Sequence, residues 1–334
     1  MKILENVELK NLTTMRLGGP TRYLIEIEES AEVENAHNFA VERNLPIAIL
    51  GGGANTIAKD QGFDGVIIKN VMTGIENEKL SPSCITIMGG TVWDDAVAYA
   101  CERGLTGIEA LSKIPGLAGA APVQNIGAYG QDISNTFVSA EVYDFETNNF
   151  RTLSKVDFGF AYRKSILNTT EKGRYFVISI TLKLAEGEMK RPFYNSLEKY
   201  LSDHNITDCS PQKIREVVSK IRTDKLPDPE QIASAGSFFK NIYLSDEEAA
   251  RAEKNNIPVY RGHDGNKINS GWLIEACGLK GQLMHGIRVS NEAALVLINE
   301  SAQSYADLAM ARAEIVAAVK QKFGYTLEQE PVEL

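Results

Sequence analysis

Ser237 is the first residue whose type and setting could do chemistry. It follows a glycine and precedes two phenylalanines, then Lys240 and Asn241. No histidine is close to it in the sequence and no G-x-S-x-G is present, which argues against a serine hydrolase. A hydroxyl held at an apolar wall can still donate a proton to a strongly basic, carbanion-like centre. The alternative is a serine that only caps a helix or closes a turn.

Arg163 is the second such residue, in the segment Gly159-Phe-Ala-Tyr-Arg163-Lys-Ser165. An arginine beside aromatic faces keeps its charge and can hold a carboxylate through two parallel hydrogen bonds. An isolated arginine more often forms a surface ion pair, so that interpretation stays open. Two acids, Glu328 and Glu330, lie in the C-terminal tail, where a solvated terminal acid is the simplest interpretation.

A stretch rich in glycine and alanine runs from Ile114 to Gly130. It has neither helical nor strand periodicity, so we expect an ordered loop rather than a regular element. Gly116, Gly119 and Gly127 lack a Cβ, as does Gly130, so the backbone can lie flat against a bulky group. This composition suits the wall of a site for a large planar cofactor, although a buried crossover between strands would use similar residues.

A second glycine loop, Gly51-Gly52-Gly53-Ala54-Asn55-Thr56, follows a predicted strand. Successive backbone N–H groups in such a turn form a concave anion site, which suits a diphosphate. The loop is not the dinucleotide fingerprint G-x-G-x-x-G, because Thr56 occupies the last glycine position. A tight structural turn therefore remains an alternative. A cofactor lying between two small units would place this loop on its diphosphate and the 114–130 loop on its ring.

The composition indicates a globular protein of two or three domains with an acidic surface. The chain has 334 residues and a formal net charge of −9, which disfavours nucleic acid and anionic membranes as partners. Its four cysteines and four histidines are scattered, so neither a disulfide framework nor a metal site is predicted. The N-terminus has no long apolar run, so we expect no signal peptide or membrane helix and a cytoplasmic location.

Periodicity predicts an α+β fold built from short elements. Strands are expected at residues 22–28, 46–50, 65–69, 84–88, 137–143, 175–184 and 295–298. Helices are expected at residues 31–43, 91–102, 211–221, 246–255, 270–277 and 304–322, with Ser210 and Ser245 as N-caps.

These segments, taken in order, resemble the flavoenzyme family UDP-N-acetylenolpyruvoylglucosamine reductase, the FAD-dependent UDP-N-acetylmuramate dehydrogenases of bacterial peptidoglycan synthesis. The matching segments are residues 11–19, 50–55, 114–116, 124–130, 162–163, 222–229, 235–241, 271–275 and 279–281. The ordered set covers nearly the whole chain and is far more specific than any one motif. Tyr194, in Phe193-Tyr-Asn-Ser-Leu197, resembles the tyrosine of the longer subtype, whose loop folds over the substrate.

The resemblance implies a fold with two small α+β units of the FAD-binding PCMH or vanillyl-alcohol-oxidase type around a noncovalently bound FAD. A third α+β domain would hold the substrate. The corresponding divisions are 1–70 and 71–218 for the FAD-binding units, with a substrate loop near 190–200. Residues 219–322 would form the substrate domain, and residues 323–334 a tail that returns to the active site.

The resemblance also assigns site residues, motif by motif, and no metal. Catalytic roles fall to Arg163, Ser237 and Glu330, with Glu328 as the alternative glutamate. Contacts to FAD are implied for Gly51, Gly52, Gly53, Ala54, Asn55, Thr56, Pro115, Gly116, Gly119, Ala120, Asn125, Gly127, Ala128 and Tyr129. Contacts to the substrate are implied for Tyr162, Tyr194, Lys225, Asn241 and Tyr260.

The implied reaction reduces the enolpyruvyl ether of UDP-N-acetylglucosamine to the D-lactyl ether, giving UDP-N-acetylmuramate. NADPH would reduce FAD, flavin N5 would deliver hydride to the vinyl carbon, and Ser237 would protonate the α-carbon. Charge that develops on the substrate carboxylate suits Arg163. Glu330 would either be protonated or orient the arginine. No obligate protein partner is expected.

Two other functions remain open from the sequence. Another FAD oxidoreductase of the same architecture, such as a 2-hydroxy-acid or alcohol oxidase, would often tether its flavin through histidine or cysteine, and neither glycine loop contains one. A non-catalytic nucleotide-sugar-binding protein would need neither flavin nor Ser237.

Overall fold

The computed structural model describes residues 1–78, 81–262 and 265–334; His263 lies outside them. Its contacts divide the chain into two compact units, each built from separate stretches. The first unit comprises residues 1–7, 21–52 and 63–224, and the second comprises residues 8–20, 53–62 and 225–334. The four-part division predicted from the sequence stays a prediction.

The regular elements of both units are short. The helices are α1 (Glu32–Glu42), α2 (Trp93–Glu102), α3 (Asn195–Asp203), α4 (Pro211–Lys225), α5 (Asp246–Lys254), α6 (Ser270–Ala276) and α7 (Tyr305–Phe323). The strands up to residue 144 are β1 (Lys2–Glu8), β2 (Pro20–Ile27), β3 (Ile47–Leu50), β4 (Thr56–Ile57), β5 (Phe63–Asn70), β6 (Ile75–Glu78), β7 (Ser81–Met88), β8 (Leu105–Thr106), β9 (Gly127–Ala128), β10 (Gln131–Asp132) and β11 (Phe137–Asp144). The later strands are β12 (Asn149–Ser154), β13 (Tyr175–Lys183), β14 (Ala185–Glu186), β15 (Ser234–Ser237), β16 (Ile242–Leu244), β17 (Tyr260–Gly262), β18 (Gly265–Ile268), β19 (Leu283–Met284), β20 (Ile287–Val289), β21 (Val296–Asn299) and β22 (Val332–Glu333).

The strands and helices predicted from periodicity are confirmed, with ends that differ by at most four residues. The N-cap at Ser245 is confirmed as a capping box with Glu248. Among the elements of six residues or more, the sequence analysis missed β1, β12 and α3, and it also missed most of the shorter strands. Helix α3 buries only Leu197 and Leu201, so its apolar stripe is too thin to stand out from a polar segment. Strand β12 is almost wholly exposed and shows no apolar alternation.

The first unit places a parallel sheet beside an antiparallel one. Strands β2, β5 and β3 are parallel neighbours, so their carboxyl ends lie at the same edge, and Gly51 follows β3 there. Helix α1 buries Val33, Ala36 and Ala40 in a core shared with this sheet. The second sheet has the order β12-β11-β13-β7-β6, and its core includes Trp93 of α2.

The second unit combines the sheet order β15-β21-β20-β19 with the order β16-β18-β17. Helix α7 begins at a capping box between Ser304 and Asp307 and ends at Gly324, whose φ of +80° suits a glycine. Its buried face, which includes Leu308 and Ile315, belongs to a core with Phe238 and Phe239. Strand β22, in the tail, pairs in parallel with β4.

Within the described ranges, no helix combines the length and the apolar character that crossing a bilayer requires. The same residues contain no group of three or more histidine, cysteine or acidic side chains arranged to hold a metal ion. All four cysteines are free thiols, and three of them are buried.

Candidate active site

The two glycine loops contact each other where they meet in the first unit. A Cβ added to Gly52 would lie 3.1 Å from Gly116 Cα, and one added to Gly51 would lie 3.0 Å from Ala120 Cβ. Because real Cβ atoms rarely approach other atoms so closely, larger residues here would push the loops apart. A Cβ on Gly116 itself would meet nothing within 4 Å. The loops therefore join into one backbone surface with an open side at Gly116.

Hydrogen bonds hold the 114–130 loop against its neighbours in the first unit. Trp93 N donates to Gly116 O at 3.0 Å, and Gly119 N donates to Gly89 O at 2.9 Å. A Cβ on Gly119 would lie 3.0 Å from Gly89 Cα, so the two backbones touch. The loop is thus rigid in the part that contacts the Gly51–Gly52 turn, and Pro115, at its start, is exposed.

The other glycine loop offers backbone donors. Among the described residues, the N–H groups of Gly52, Gly53 and Ala54 donate to no backbone carbonyl. Gly53 has a φ of +66°, and a Cβ there would lie 2.0 Å from Leu12 O, so glycine is required. Asn55 and Thr56 follow, half-buried. Unpaired successive N–H groups are the donor set that an anionic diphosphate needs.

A tight hairpin closes the 114–130 loop. Gly127 and Ala128 of β9 pair with β10, and the turn residues Tyr129 and Gly130 have φ values of +48° and +85°. Positive φ at both central positions is the mark of a type I′ hairpin turn. Asn125 is buried and uses its side chain within the unit: Nδ2 donates to Ala161 O at 3.1 Å, and Oδ1 accepts from Ser134 N at 3.1 Å. A cofactor contact from Asn125 would therefore come from its backbone.

Arg163 sits at a strained turn that points its guanidinium at this hairpin. Its φ is +54°, and Ala161 and Lys164 bond to each other across the turn at 3.0 Å. Nη2 donates to Gly127 O at 2.8 Å, Nη1 lies 3.9 Å from Asp132 Oδ1, and Cζ lies 5.0 Å from the Tyr162 ring centroid. The predicted neighbourhood of arginine and aromatic ring is confirmed.

Arg222 is a charged residue that the sequence analysis did not assign. Its Nε is buried and has no hydrogen-bond partner among the described residues. Burial lowers the pKa of Arg222 and raises the pKa of Tyr129. The Tyr129 ring centroid lies 6.1 Å from that of the exposed Tyr194. A buried Nε–H group without an acceptor among the described residues favours an incoming anion. The sequence did contain a signal for this arginine, because Arg222 opens the family-like segment 222–229, but that segment gave it no role.

Ser237 lies in the second unit, at the end of β15. Gly236 before it has a φ of +69°, Ser237 itself is exposed, and Phe238 and Phe239 after it are 0% and 1% exposed. Phe238 N donates to Leu295 O at 2.7 Å. Two buried rings and a strand pairing therefore fix the backbone while the hydroxyl faces outward. The apolar wall expected beside this hydroxyl stays a prediction, because the two phenylalanine rings are buried in the core.

Three predicted substrate-binding residues also lie in the second unit. Asn241 is half-buried, and its Oδ1 accepts from Ser270 N at 3.2 Å, the N-terminal residue of α6. Lys225 is the exposed last residue of α4, and Tyr260 is exposed on β17. The amide of Asn241 is thus oriented by the protein, whereas Lys225 and Tyr260 present long side chains to solvent.

The C-terminal tail runs along the Ser237 loop. Glu330 N donates to Phe238 O at 2.9 Å, and Lys240 N donates to Glu328 O at 2.9 Å. The Glu328 carboxylate is 72% exposed and forms an ion pair with Lys240 Nζ, whereas Glu330 is half-buried. This difference favours Glu330 over Glu328 as the glutamate of the site.

The predicted site residues therefore fall into two sets. The first unit contains Gly51, Gly52, Pro115, Gly116, Gly119, Ala120, Asn125, Gly127, Ala128, Tyr129, Tyr162, Arg163 and Tyr194. The second unit contains Gly53, Ala54, Asn55, Thr56, Lys225, Ser237, Asn241, Tyr260 and Glu330. Each set is clustered around loops, and the chain passes from one unit to the other within the glycine loop at residues 52 and 53.

Comparison with known proteins identifies related sequences over the full length. A family model described as an FAD binding domain matches residues 21–153, and one for the UDP-N-acetylenolpyruvoylglucosamine reductase C-terminal domain matches residues 228–334. The UDP-N-acetylenolpyruvoylglucosamine reductase of Burkholderia orbicola is 35% identical over 99% of this chain and 97% of its own length. That of Thermobifida fusca is 35% identical over 98% and 96%.

The fold has a counterpart among solved structures. The reductase of the same name from Thermus caldophilus superposes with a TM-score of 0.69 at 24% identity, covering 100% of this chain and 99% of that one. Identity of 35% over almost the whole of both chains is sufficient to establish common family membership. This chain belongs to the UDP-N-acetylenolpyruvoylglucosamine reductase family.

Proposed function

We propose that this chain reduces the enolpyruvyl ether of UDP-N-acetylglucosamine enolpyruvate to the D-lactyl ether, giving UDP-N-acetylmuramate. FAD is the bound cofactor and NADPH the reductant. The observation that carries the proposal is the Ser237 loop: an outward hydroxyl on a backbone fixed by two buried phenylalanines, with Glu330 bonded to the same loop. That arrangement suits proton donation to a substrate carbon better than it suits binding alone.

The loops fit the cofactor on two counts. The glycines at residues 51, 52 and 119 allow the loop backbones to pack closely, because a Cβ at any of them would crowd a neighbouring atom. Gly116 leaves the open side of this backbone surface, where a Cβ would meet no described atom within 4 Å. The N–H groups of Gly52, Gly53 and Ala54 are available to a diphosphate. When bound, FAD supplies hydride transfer from NADPH to the vinyl carbon of the substrate. The protein's own residues supply position, charge and a proton.

Arg163 stabilises the negative charge that moves onto the substrate carboxylate when hydride adds to the vinyl carbon. The charge is larger in the transition state than in the bound substrate, so an arginine aimed at the carboxylate accelerates the step. Its Nη2 is fixed by Gly127 O at 2.8 Å, which orients the guanidinium before the substrate arrives. Fixed donors lose little entropy on binding, which supports a direct catalytic role.

Ser237 donates the proton that the α-carbon then needs. A hydroxyl is a weak acid, but a carbanion-like α-carbon is a far stronger base, so no activating histidine is required. The side chain is exposed while its backbone is held by Phe238 and Leu295. Glu330, on the neighbouring tail, either shares this proton or orients the cationic partner of the substrate carboxylate.

The remaining polar residues suit the nucleotide part of the substrate. In this proposal Lys225 and Asn241 bind the diphosphate, and Tyr260, whose side chain is exposed, contacts the nucleotide end. Tyr194 opens α3, and its exposed ring can close over the substrate, while Tyr162 backs Arg163. The acidic chain needs no nucleic acid, membrane or obligate protein partner for this reaction, which we place in the cytoplasm.

The test is an anaerobic two-step titration of the purified protein. NADPH is added to bleach the flavin absorbance, and the UDP-enolpyruvyl sugar is then added. Bleaching followed by substrate-dependent recovery supports the proposal. A yellow protein that bleaches without recovery rejects this substrate and retains the flavoprotein. A colourless protein that resists reconstitution with FAD indicates a non-catalytic binding protein instead.

A further inference from the structure

The C-terminal tail, which carries Glu330, bonds to other segments of the second unit at two places. At one, Glu330 N bonds to Phe238 O beside the Ser237 loop. At the other, Val332 N donates to Asn55 O and Leu334 N donates to Ile57 O, both at 2.9 Å. The second attachment lies on the residues that directly follow the 51–54 glycine loop. The tail thus spans two segments of the proposed site.

Arg312 of helix α7 contacts the tail on both sides of Glu330. Its Nη1 donates to Glu333 Oε1 at 2.6 Å and also bonds to Gln329 Oε1. Gln329 in turn donates from Nε2 to Pro331 O at 2.7 Å. One guanidinium therefore fixes the residues before and after the proposed catalytic glutamate.

Glu333, near the end of the tail, has three side-chain partners. Besides Arg312, Tyr305 Oη donates to Glu333 Oε1 at 2.7 Å, and Lys59 Nζ lies 3.4 Å from Oε2. Burial opposes ionisation of Glu333, but the hydrogen bonds from Arg312 and Tyr305 outweigh it and lower its pKa to about 2. The carboxylate is therefore charged at neutral pH, so its ion pairs with Arg312 and Lys59 do not depend on pH there.

We propose that Arg312 and Glu333 are positioning residues, which act on the reaction by fixing the tail that carries Glu330. This inference rests on the proposed function, because it assigns the pair a role through that glutamate. The same pair holds β22 against Thr56 and Ile57, so it also supports the conformation of the glycine loop. An ordinary surface pair would do neither, because it would touch only one segment of the chain.

The experiment compares Arg312→Gln with Glu314→Gln, a matched loss of charge on the same helix, where Glu314 forms an exposed pair with His285. Each half-reaction is timed separately under anaerobic conditions, and FAD affinity is measured by titrating the apoprotein. Release of the C-terminal residues by carboxypeptidase is followed by mass spectrometry. Glu333→Gln is the milder second variant in case Arg312→Gln does not fold.

We expect carboxypeptidase to remove the C-terminal residues of Arg312→Gln at least tenfold faster than those of the unmodified protein. Reoxidation of the flavin by substrate should slow about 10- to 100-fold, the range for residues that support a reactive group. Flavin reduction by NADPH should stay within about twofold of the unmodified protein, FAD affinity should weaken severalfold, and Glu314→Gln should change nothing. The double variant Arg312→Gln/Glu333→Gln should be no worse than the more impaired single variant, because the two residues act as one unit.

Unchanged tail release in Arg312→Gln would overturn the inference. So would faster release with normal reoxidation, or an equal loss in both half-reactions, which would mark the pair as merely structural. An unmodified protein without turnover overturns the proposed function alone, since tail release and FAD affinity still decide whether Arg312 anchors the segment.

Discussion

The Arg163 turn and the Ser237 loop hold their side chains in opposite ways. The side chain of Arg163 is held by a hydrogen bond to Gly127 O, and its backbone is strained, with a φ of +54°. Ser237 is fastened through its backbone and its buried neighbours, while its hydroxyl faces outward. A permanent charge needs polar partners wherever it is partly buried, whereas a proton donor must remain available. The contrast fits the two proposed roles, carboxylate binding by Arg163 and proton transfer by Ser237.

The two regions also differ in how far along the chain their supports lie. Arg163 is fixed by a residue 36 positions away, within one stretch of the first unit. The Ser237 loop is bordered by the tail, with Lys240 and Glu328 separated by 88 positions. Local contacts form with a smaller loss of loop entropy than distant ones. The Ser237 loop is therefore the region more sensitive to changes elsewhere in the chain.

The largest expected effect is that of Ser237→Ala. Flavin reduction by NADPH should be nearly unchanged, and reoxidation by the UDP-enolpyruvyl sugar should slow by about 10³-fold, because the proton donor is lost. Stopped-flow absorbance of the flavin measures both steps, with Ser301→Ala, an exposed serine of the same unit, as control. An equal loss in both steps would make Ser237 structural and remove the contrast with Arg163.

Arg163→Lys should lower kcat/KM for the enolpyruvyl substrate by about 10²- to 10³-fold. Lysine keeps a charge but cannot both bond Gly127 O and hold a carboxylate bidentately. Steady-state kinetics and the flavin content of the purified variant measure this, with the exposed Lys164→Ala as control. If the variant lost its flavin instead, Arg163 would belong to the cofactor site and not to the carboxylate.

The two tail glutamates provide a matched pair. Glu330→Gln should slow reoxidation by about 10²-fold, as for a lost acid–base group. Glu328→Gln should leave the rate within about twofold, because its exposed ion pair with Lys240 contributes little. The reverse ranking in the same stopped-flow assay would move the catalytic role to Glu328.

Gly119→Ala tests the first unit without touching a polar group. The new Cβ would press on Gly89 Cα at 3.0 Å, both atoms being fixed, at a cost of about 1–3 kcal/mol. We expect weaker FAD binding by about tenfold, measured by titrating the apoprotein. Gly173→Ala, where φ is +80° and the space among the described residues is open, is the control for a destabilisation of the same unit that does not press on this loop. Normal FAD affinity in Gly119→Ala would place the cofactor away from this loop.

The smallest effect concerns pH. Since the pKa of Glu333 is lowered to about 2, its ion pairs stabilise the fold fully above about pH 5 and are lost as pH falls toward 2. The melting temperature of the unmodified protein should exceed that of Glu333→Gln by a few degrees at pH 7, and the gap should close in acid. A gap that stayed constant down to pH 2 would show that Glu333 acts without its charge.

Much of the fold was predictable because its signals are local. The alternation in β2 and the helical spacing of α1 and α7 come from burying one face of each element, whereas β13 is a largely apolar segment buried on both faces. A window of about ten residues shows each of these patterns. Helix α3 was not predicted, because its burial depends on two leucines that pack only in the folded chain.

The α+β class, the two glycine loops, the family resemblance and the candidate residues Arg163 and Ser237 could all be predicted before the structure was considered, since each depends on residue types close together in the chain. The tertiary structure was needed to show that Gly52 lies against Gly116, that the Arg222 Nε is buried without a hydrogen-bond partner among the described residues, and that Arg312 bonds to the tail. Gly52 and Gly116 are 64 positions apart, and Arg312 and Glu333 are 21 positions apart. Such contacts leave no periodicity in the sequence, because they are selected by packing and charge compensation in three dimensions.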